Sequence, residues 1–353
     1  MTPDTSTMAA SPITTRLDFE RPGRQQGELR IPYSSDTSAW AQLFVPVVCV
    51  ANGSGPTVLV TGGNHGDEPE GQIAALKLAR TLEPAAVTGR VIVIPCLSPP
   101  AARAFTRSWP SGENFNRIFP GSPTGTPAEM LADYLTRQIL PHCDALIDLH
   151  SGGRSMRCLP WSEVHLVADP AQRAAMVDAM LAWNADWSFV YIDVAGTGLF
   201  VNEAEAQGKL TIGTELGGGG PVTAAVHRLA YAGLVNVLRQ LGVLRGAVET
   251  RRSTGLPATT LLRATDPADY LMAPEPGLLE CLVELGDRVE AGQVVGRLHR
   301  LDDLDREPFD VCAETAGVVC SLRAIAATER GDCICVVAQI ADRASLLADP
   351  GEA

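Results

Sequence analysis

The run Thr57-Val58-Leu59-Val60-Thr61-Gly62-Gly63-Asn64-His65-Gly66-Asp67-Glu68-Pro69-Glu70-Gly71 limits what this chain can become. Its first four residues are apolar or β-branched and read as a buried strand. After the glycines, Ile73-Ala74-Ala75-Leu76-Lys77-Leu78-Ala79-Arg80 carries apolar residues at helical period. A strand that turns through a glycine-rich corner into a helix is a building unit of an α/β sheet. Open sheets of this kind hold their active sites at the carboxyl ends of the strands. His65 and Glu68 lie at that corner, and an imidazole plus a carboxylate are two of the three protein ligands of an open His2Glu zinc site.

Two more segments repeat the setting. Ala145-Leu146-Ile147-Asp148-Leu149-His150-Ser151-Gly152-Gly153 is a short apolar strand ending in a histidine and glycines. His150 is the candidate third ligand. Asp148 precedes it by two, so an alternating strand puts both side chains on one face. From there a carboxylate can accept the second ring N–H of a metal-bound imidazole. Thr211-Ile212-Gly213-Thr214-Glu215-Leu216-Gly217-Gly218-Gly219-Gly220 delivers Glu215 into a glycine-rich turn. Zinc hydrolysis needs a general base besides the ligands, and Glu215 is the candidate.

Each of these residues also has a plain structural reading. A strand-end histidine is commonly a hydrogen-bonded structural residue, and Glu68 could simply complement the helix dipole. Glu215 could be a solvated turn residue. Packing alone gives no reason, however, for three glycine-flanked strand ends each to present a His or a Glu. Of the six histidines, His142, His165, His227 and His299 lack this setting and are set aside as non-ligands.

The 353 residues are enough for two domains with substantial cores. Strand-like and helical runs alternate over residues 25–250, with a strand at Arg90–Pro95 and helices at Ala128–Ile139 and Val222–Leu241. That alternation predicts a mainly parallel α/β sheet flanked by helices. Ala247 to Pro267 reads as a connection. Residues 268–345 change to short strands and turns, and Gly286 to Gly296 has the turn spacing of a lipoyl-domain-like β-sandwich. No Lys follows Lys209, which excludes a swinging-arm carrier role for it. Such a module packs on the catalytic domain, shapes its entrance or supports a homo-oligomer.

Residues 1–24 mix Thr, Ser, Pro and charges without a signal-peptide core, and read as a flexible N-terminal arm on a cytoplasmic protein. No apolar run is long enough to span a bilayer. Nine cysteines without paired spacing point to reduced thiols, with Cys333 and Cys335 expected on one strand face. The net charge of −13 disfavours nucleic acid and anionic membranes as partners.

Together the segments GGNHGDEPEG, NFNRIFPG, DLHSGG and TELGGGG closely resemble the succinylglutamate desuccinylase and aspartoacylase family of the zinc carboxypeptidase superfamily. The resemblance runs from about Leu29 to about Gln339. The early run from Leu29 to Trp40 and the glycines after Glu215 are most similar to the branch that contains N-alpha-acetyl-L-2,4-diaminobutyrate deacetylases of ectoine breakdown. The resemblance implies a zinc-carboxypeptidase-like mixed sheet and one Zn2+ per chain on His65, Glu68 and His150. It also implies that Arg107 polarises the scissile carbonyl, although the loop after Arg107 departs from the family in length.

Guanidinium forks bind carboxylates bidentately, and Asn adds a hydrogen bond to the same group. Asn116 and Arg117 are thus candidates to clamp the free carboxylate of an amino acid, a role the resemblance also implies. The expected reaction is hydrolysis of the amide of a small N-acyl amino acid, with N-acetyl-diaminobutyrate as the leading substrate. Two other readings stay open: a metallocarboxypeptidase acting on short peptides, and a non-catalytic metal-binding scaffold.

Overall fold

The computed structural model describes residues 10–192 and 196–347. A long antiparallel hairpin, β1 (Gly23–Ser35) and β2 (Ser38–Asn52), opens the chain. There follow β3 (Thr57–Gly62), α1 (Pro69–Thr81), β4 (Gly89–Ile94), α2 (Pro99–Ala104), α3 (Pro127–Tyr134) and β5 (Ala145–His150). Next come β6 (Met156–Cys158), β7 (Trp161–His165), α4 (Pro170–Leu181), β8 (Trp187–Tyr191), α5 (Phe200–Ala206), β9 (Leu210–Glu215) and α6 (Ala224–Gln240). The remainder is β10 (Thr260–Ala264), β11 (Tyr270–Met272), β12 (Gly277–Cys281), β13 (Arg288–Val289), β14 (Val294–His299), β15 (Phe309–Cys312), β16 (Gly317–Arg323), β17 (Ala327–Thr328), β18 (Cys333–Ala341) and α7 (Arg343–Leu347).

The main sheet runs β1-β2-β4-β3-β5-β9-β7-β8-β10. Strands β4, β3, β5 and β9 are parallel, and β9 then meets β7 antiparallel. This is the expected mixed α/β sheet flanked by helices. Leu59, Ile92 and Leu146 pack on one face against Leu131 of α3 and Phe200 of α5. Val58, Val60, Val91 and Ile147 pack on the other against Leu78 of α1 and Leu234 of α6. Both faces are covered, so these strands are apolar without alternation. The helix expected over 128–139 is α-helical only to Tyr134, and Leu135–Ile139 forms a wider turn ahead of Pro141, which cannot extend the helix.

Three expectations change. The flexible arm is corrected for its second half: Ile13 is 5% exposed within the core cluster of β1 and β2, and Thr14 bridges Arg30. An apolar residue there covers core that the hairpin leaves open; residues 1–9 lie outside the described residues. The connection over 247–267 contains β10, which pairs parallel with β8 and antiparallel with β18. The C-terminal region has two sheets around Leu271, Val295, Leu298 and Val337. One of them is thus hydrogen-bonded into the main sheet, and β6 pairs with it as well. Finally, Cys333 and Cys335 do not share a face. A register shift between them against β11 puts Cys335 in the cluster with Val337, and Cys333 against the one with Val336. An extra residue in one strand reverses the alternation beyond it.

Candidate metal centre and cavity

The corner after β3 is held tightly. A Cβ on Gly66 would lie 2.1 Å from the Ala101 carbonyl carbon, and one on Gly71 would lie 2.5 Å from Leu149 Cβ. Only glycine lets α2 and β5 approach so closely. Glu68 occupies the N-cap of α1 yet makes no capping hydrogen bond. Its buried carboxylate turns instead to two imidazoles: Oε1 lies 2.7 Å from His65 Nδ1, and Oε2 lies 2.8 Å from His150 Nδ1. The helix-dipole reading of Glu68 therefore does not account for its orientation.

The second nitrogen of each ring is also tied. His65 Nε2 is 3.0 Å from Asn114 Oδ1, and His150 Nε2 is 3.0 Å from Asp148 Oδ2. Asp148 is fixed in turn by Thr61 Oγ1, which donates at 2.6 Å, and Asn64 Nδ2, which donates at 3.1 Å. An Nε2–H directed to each outer oxygen would turn each Nδ1 lone pair towards the centre. Ligand atoms of His65, Glu68 and His150 all lie within 4.8 Å of one another. Two nitrogens and a carboxylate, with oriented outer partners, fit a zinc ion.

The charges agree with that fit. Burial alone would raise the Glu68 pKa, but both imidazoles outweigh it and hold the carboxyl well below its usual range. At His150 burial opposes protonation, yet Asp148 and Glu68 overcome it and push the pKa well up. At His65 burial wins and the pKa falls. The cluster thus favours a positive charge beside Glu68.

Glu215 ends β9 in register with His150 on one side and Trp161 on the other. Its Oε2 is buried and has no hydrogen-bond partner among the described residues. Burial first, then Glu163 and Glu68, push its pKa well above the usual value. Arg107 Nη1 donates to Glu68 Oε1 at 3.2 Å, which places its guanidinium at the rim of the cluster.

Asn116 and Arg117 sit on a short turn fastened by aromatic packing. Phe115 stacks with Trp109 at 6.0 Å and meets Phe119 edge-on at 5.2 Å, while Phe119 stacks on Phe200 at 4.5 Å. Asn116 Oδ1 accepts from the Phe200 N–H at 2.9 Å, so Nδ2 is what the amide can offer a ligand. Arg117 Nη1 donates to the Asn116 carbonyl at 2.6 Å.

His65, Arg107, Asn116, Arg117, His150 and Glu215 all line one cavity of about 420 Å³. Glu68 is enclosed behind its two histidines. The remaining lining residues were not named as site residues from the sequence, although the C-terminal module was expected to pack on the catalytic domain or shape its entrance. Trp161, Glu163, Phe189 and Tyr191 come from β7 and β8, and Tyr270, Ser321, Arg323 and Cys333 come from the C-terminal strands. Asn114 was also missed, although it stands three residues before Arg117 in the same motif. No other group of His, Cys, Asp and Glu suited to a metal occurs among the described residues.

Residues 54–241 match the succinylglutamate desuccinylase/aspartoacylase catalytic domain. The N-alpha-acetyl-L-2,4-diaminobutyric acid deacetylase of Halomonas elongata is 38% identical over 333 residues, covering 94% of this chain and 96% of that protein. The product-bound structure of the ectoine utilization protein EutE (DoeB) from Ruegeria pomeroyi superposes with a TM-score of 0.89 at 37% identity, covering 94% of this chain and 99% of that one. A succinylglutamate desuccinylase/aspartoacylase from Rhodobacter sphaeroides gives a TM-score of 0.89 at 39% identity, with 94% and 100% covered. The chain belongs to the succinylglutamate desuccinylase/aspartoacylase family.

Proposed function

We propose that this protein is a zinc-dependent amidohydrolase of small N-acyl amino acids, acting on N-alpha-acetyl-L-2,4-diaminobutyrate in the cytoplasmic breakdown of ectoine. The observation that carries the reading is the convergence of His65 Nδ1, Glu68 and His150 Nδ1 beside a cavity that Glu215 also lines. The similarity to the Halomonas elongata deacetylase over nearly the whole chain supports the substrate.

A zinc ion held by His65, Glu68 and His150 would supply Lewis acidity and bring the pKa of a water down towards about 7. Glu215, with a carboxyl oxygen unpaired, accepts the proton of the attacking water and returns it to the leaving amine. Arg107 donates to the carbonyl oxygen as negative charge develops there, where preorganised donors contribute most. Asn116 Nδ2 and the Arg117 fork hold the amino-acid carboxylate and so fix the amide over the base. Asp148 and Asn114 keep the two imidazoles in the tautomer that the metal requires.

A carboxypeptidase acting on long chains is disfavoured by the wall that Tyr270, Ser321, Arg323 and Cys333 add to the cavity. We take that wall to be the function of the C-terminal lipoyl-domain-like β-sandwich. About 420 Å³ is near the lower end of small-molecule sites. The test is metal analysis of the purified protein together with a screen of acylated amino acids and short peptides. One zinc per chain and release of acetate from N-acetyl-diaminobutyrate are expected. Preference for peptides, or full activity after the metal is stripped, would refute the reading.

A further inference from the structure

Past Glu215 the cavity reaches a second carboxylate that amide hydrolysis does not need. Glu163 lies in the middle of β7, 7% exposed, directly opposite Gly213 of β9. Residues two apart on a strand share a face. His150 and Asp148 of β5, Glu215 and Gly213 of β9, and Trp161 and Glu163 of β7 therefore form two rows on one side of the sheet. Gly213 alone among these six positions has no side chain. A Cβ there would come 3.0 Å from both Cγ and Oε1 of Glu163. The glycine keeps the floor open beside Glu215, and both Gly213 and Glu163 line the cavity.

Glu163 is rigidly presented. Trp161 Nε1 donates to its Oε2 at 2.7 Å, and the Tyr191 side chain hydrogen-bonds the same carboxyl. The Tyr191 ring packs 4.2 Å from His165, whose Nδ1 is 3.1 Å from Glu205. Trp161 and Phe189 are 4.6 Å apart, and Phe189 stacks with Tyr191 at 5.8 Å. The result is an aromatic wall with one carboxyl fixed in it. Glu163 and Glu215 are diagonal neighbours across β9 and β7, roughly 7–8 Å apart at the backbone. Two carboxyls facing one cavity favour a cation between them and oppose an anion. Methylenes fit the aromatic rings, and an ammonium gains further from their faces.

We infer that Glu163, held by Trp161 and Tyr191, determines specificity by receiving the ammonium of a short cationic side chain on the N-acyl amino acid. The inference rests on the amidohydrolase reading and narrows it: neutral side chains bind weakly, and acidic ones are disfavoured beside two buried carboxyls. Arg117 and Glu163, which both line the cavity, then read the two charges of a zwitterion-like substrate.

The test compares N-alpha-acetyl-2,4-diaminobutyrate with N-alpha-acetyl-2-aminobutyrate, the same skeleton without the amine. Wild type should prefer the first. Glu163→Gln, which preserves shape and can still hydrogen-bond both Trp161 and Tyr191, should lose at least about tenfold in kcat/KM on the amine. The neutral substrate shares any change that reaches Glu215, so the effect is read from the ratio of the two substrates, which should fall at least about tenfold and mainly through KM. Glu163→Asp should keep part of the preference. Equal losses on both substrates would overturn the inference and leave Glu163 as a group that merely tunes Glu215 or the fold. Should wild type hydrolyse neither amide, the hydrolase reading fails separately, and calorimetry on the zinc-loaded protein still decides about Glu163. Free 2,4-diaminobutyrate must then bind wild type more tightly than 2-aminobutyrate, and Glu163→Gln must abolish the difference; no preference in wild type overturns the inference.

Discussion

The two ends of the cavity are built differently. At one end His65, Glu68, His150 and Glu215 stand where parallel strands finish, each beside glycines and within a short continuous segment. The other end is assembled from separate strands: Glu163 in the middle of β7, which runs antiparallel to β9, Trp161 and Tyr191 at the start of β7 and the end of β8, and Ser321 and Cys333 in β16 and β18. Strand ends let several side chains converge on one atom, because the backbone turns away there. Strand interiors offer a fixed grid on which one substitution changes one contact. Chemistry at the ends and selectivity in the grid is the division of labour this contrast suggests.

The largest effect should come from breaking the first end. His150→Ala or Glu68→Ala should lose zinc and activity together, since an open site has only three protein ligands. Metal content by mass spectrometry and acetate release are the measurements. Full zinc occupancy in His150→Ala would dismantle the site. Glu215→Gln should keep zinc and the fold while turnover falls roughly 10²–10⁴-fold. Near-normal turnover would mean that another group activates the water.

This end was legible in the sequence because each ligand carries its own local signal. A glycine-flanked strand end needs no knowledge of which strands are neighbours. The mixed sheet was legible for the same reason, from the apolar runs at Thr57–Gly62, Gly89–Ile94 and Ala145–His150. Glu163 was not. In Trp-Ser-Glu-Val-His it reads as an ordinary strand carboxylate, and only the register with Gly213 shows that it faces the cavity. β10 was hidden in a Thr- and Arg-rich stretch because its role is to join two sheets. The Cys333 face was misread because a register shift leaves no trace in composition.

Arg117 tests whether the two ends act independently. If its fork holds the substrate carboxylate, Arg117→Lys should already lower kcat/KM, because an ammonium cannot reproduce the bidentate contact. Amidating that carboxylate should weaken wild type more than Arg117→Ala, with a coupling on the order of 0.5–3 kcal/mol. Additive losses would remove Arg117 from the site. Coupling between Arg117 and the side-chain amine, by contrast, would blur the division between the ends.

Gly213→Ala sharpens the comparison from the far side. The new Cβ must displace Glu163 by a few tenths of an ångström, since 3.0 Å is closer than side chains normally approach. Zinc content should be unchanged. Hydrolysis of N-acetyl-diaminobutyrate should fall by roughly an order of magnitude, as a cavity wall crowded by one methyl costs about 1–3 kcal/mol. N-acetylglycine, which has no side chain to place there, should be hydrolysed as before. Equal losses on both would show that the two ends are one mechanical unit.

The smallest effect concerns stability and separates catalysis from folding at Glu215. Burial, Glu163 and Glu68 raise its pKa well above that of an unfolded glutamate, about 4.3. A carboxyl raised on folding contributes stability that is complete below the unfolded value. That contribution is lost as pH rises through the folded value, because the folded state then holds a proton the unfolded state has released. Glu215→Gln cannot lose what it never titrates. In the metal-free protein its melting temperature should therefore gain on wild type as pH climbs from about 4 towards and beyond neutrality, by roughly 2 °C for each kcal/mol. Zinc should shrink the gain, since a nearby cation stabilises the ionised carboxylate of the wild type. A gap that stays constant with pH would mean that the orphaned oxygen of Glu215 carries no electrostatic cost, and that its isolation serves neither the fold nor the base.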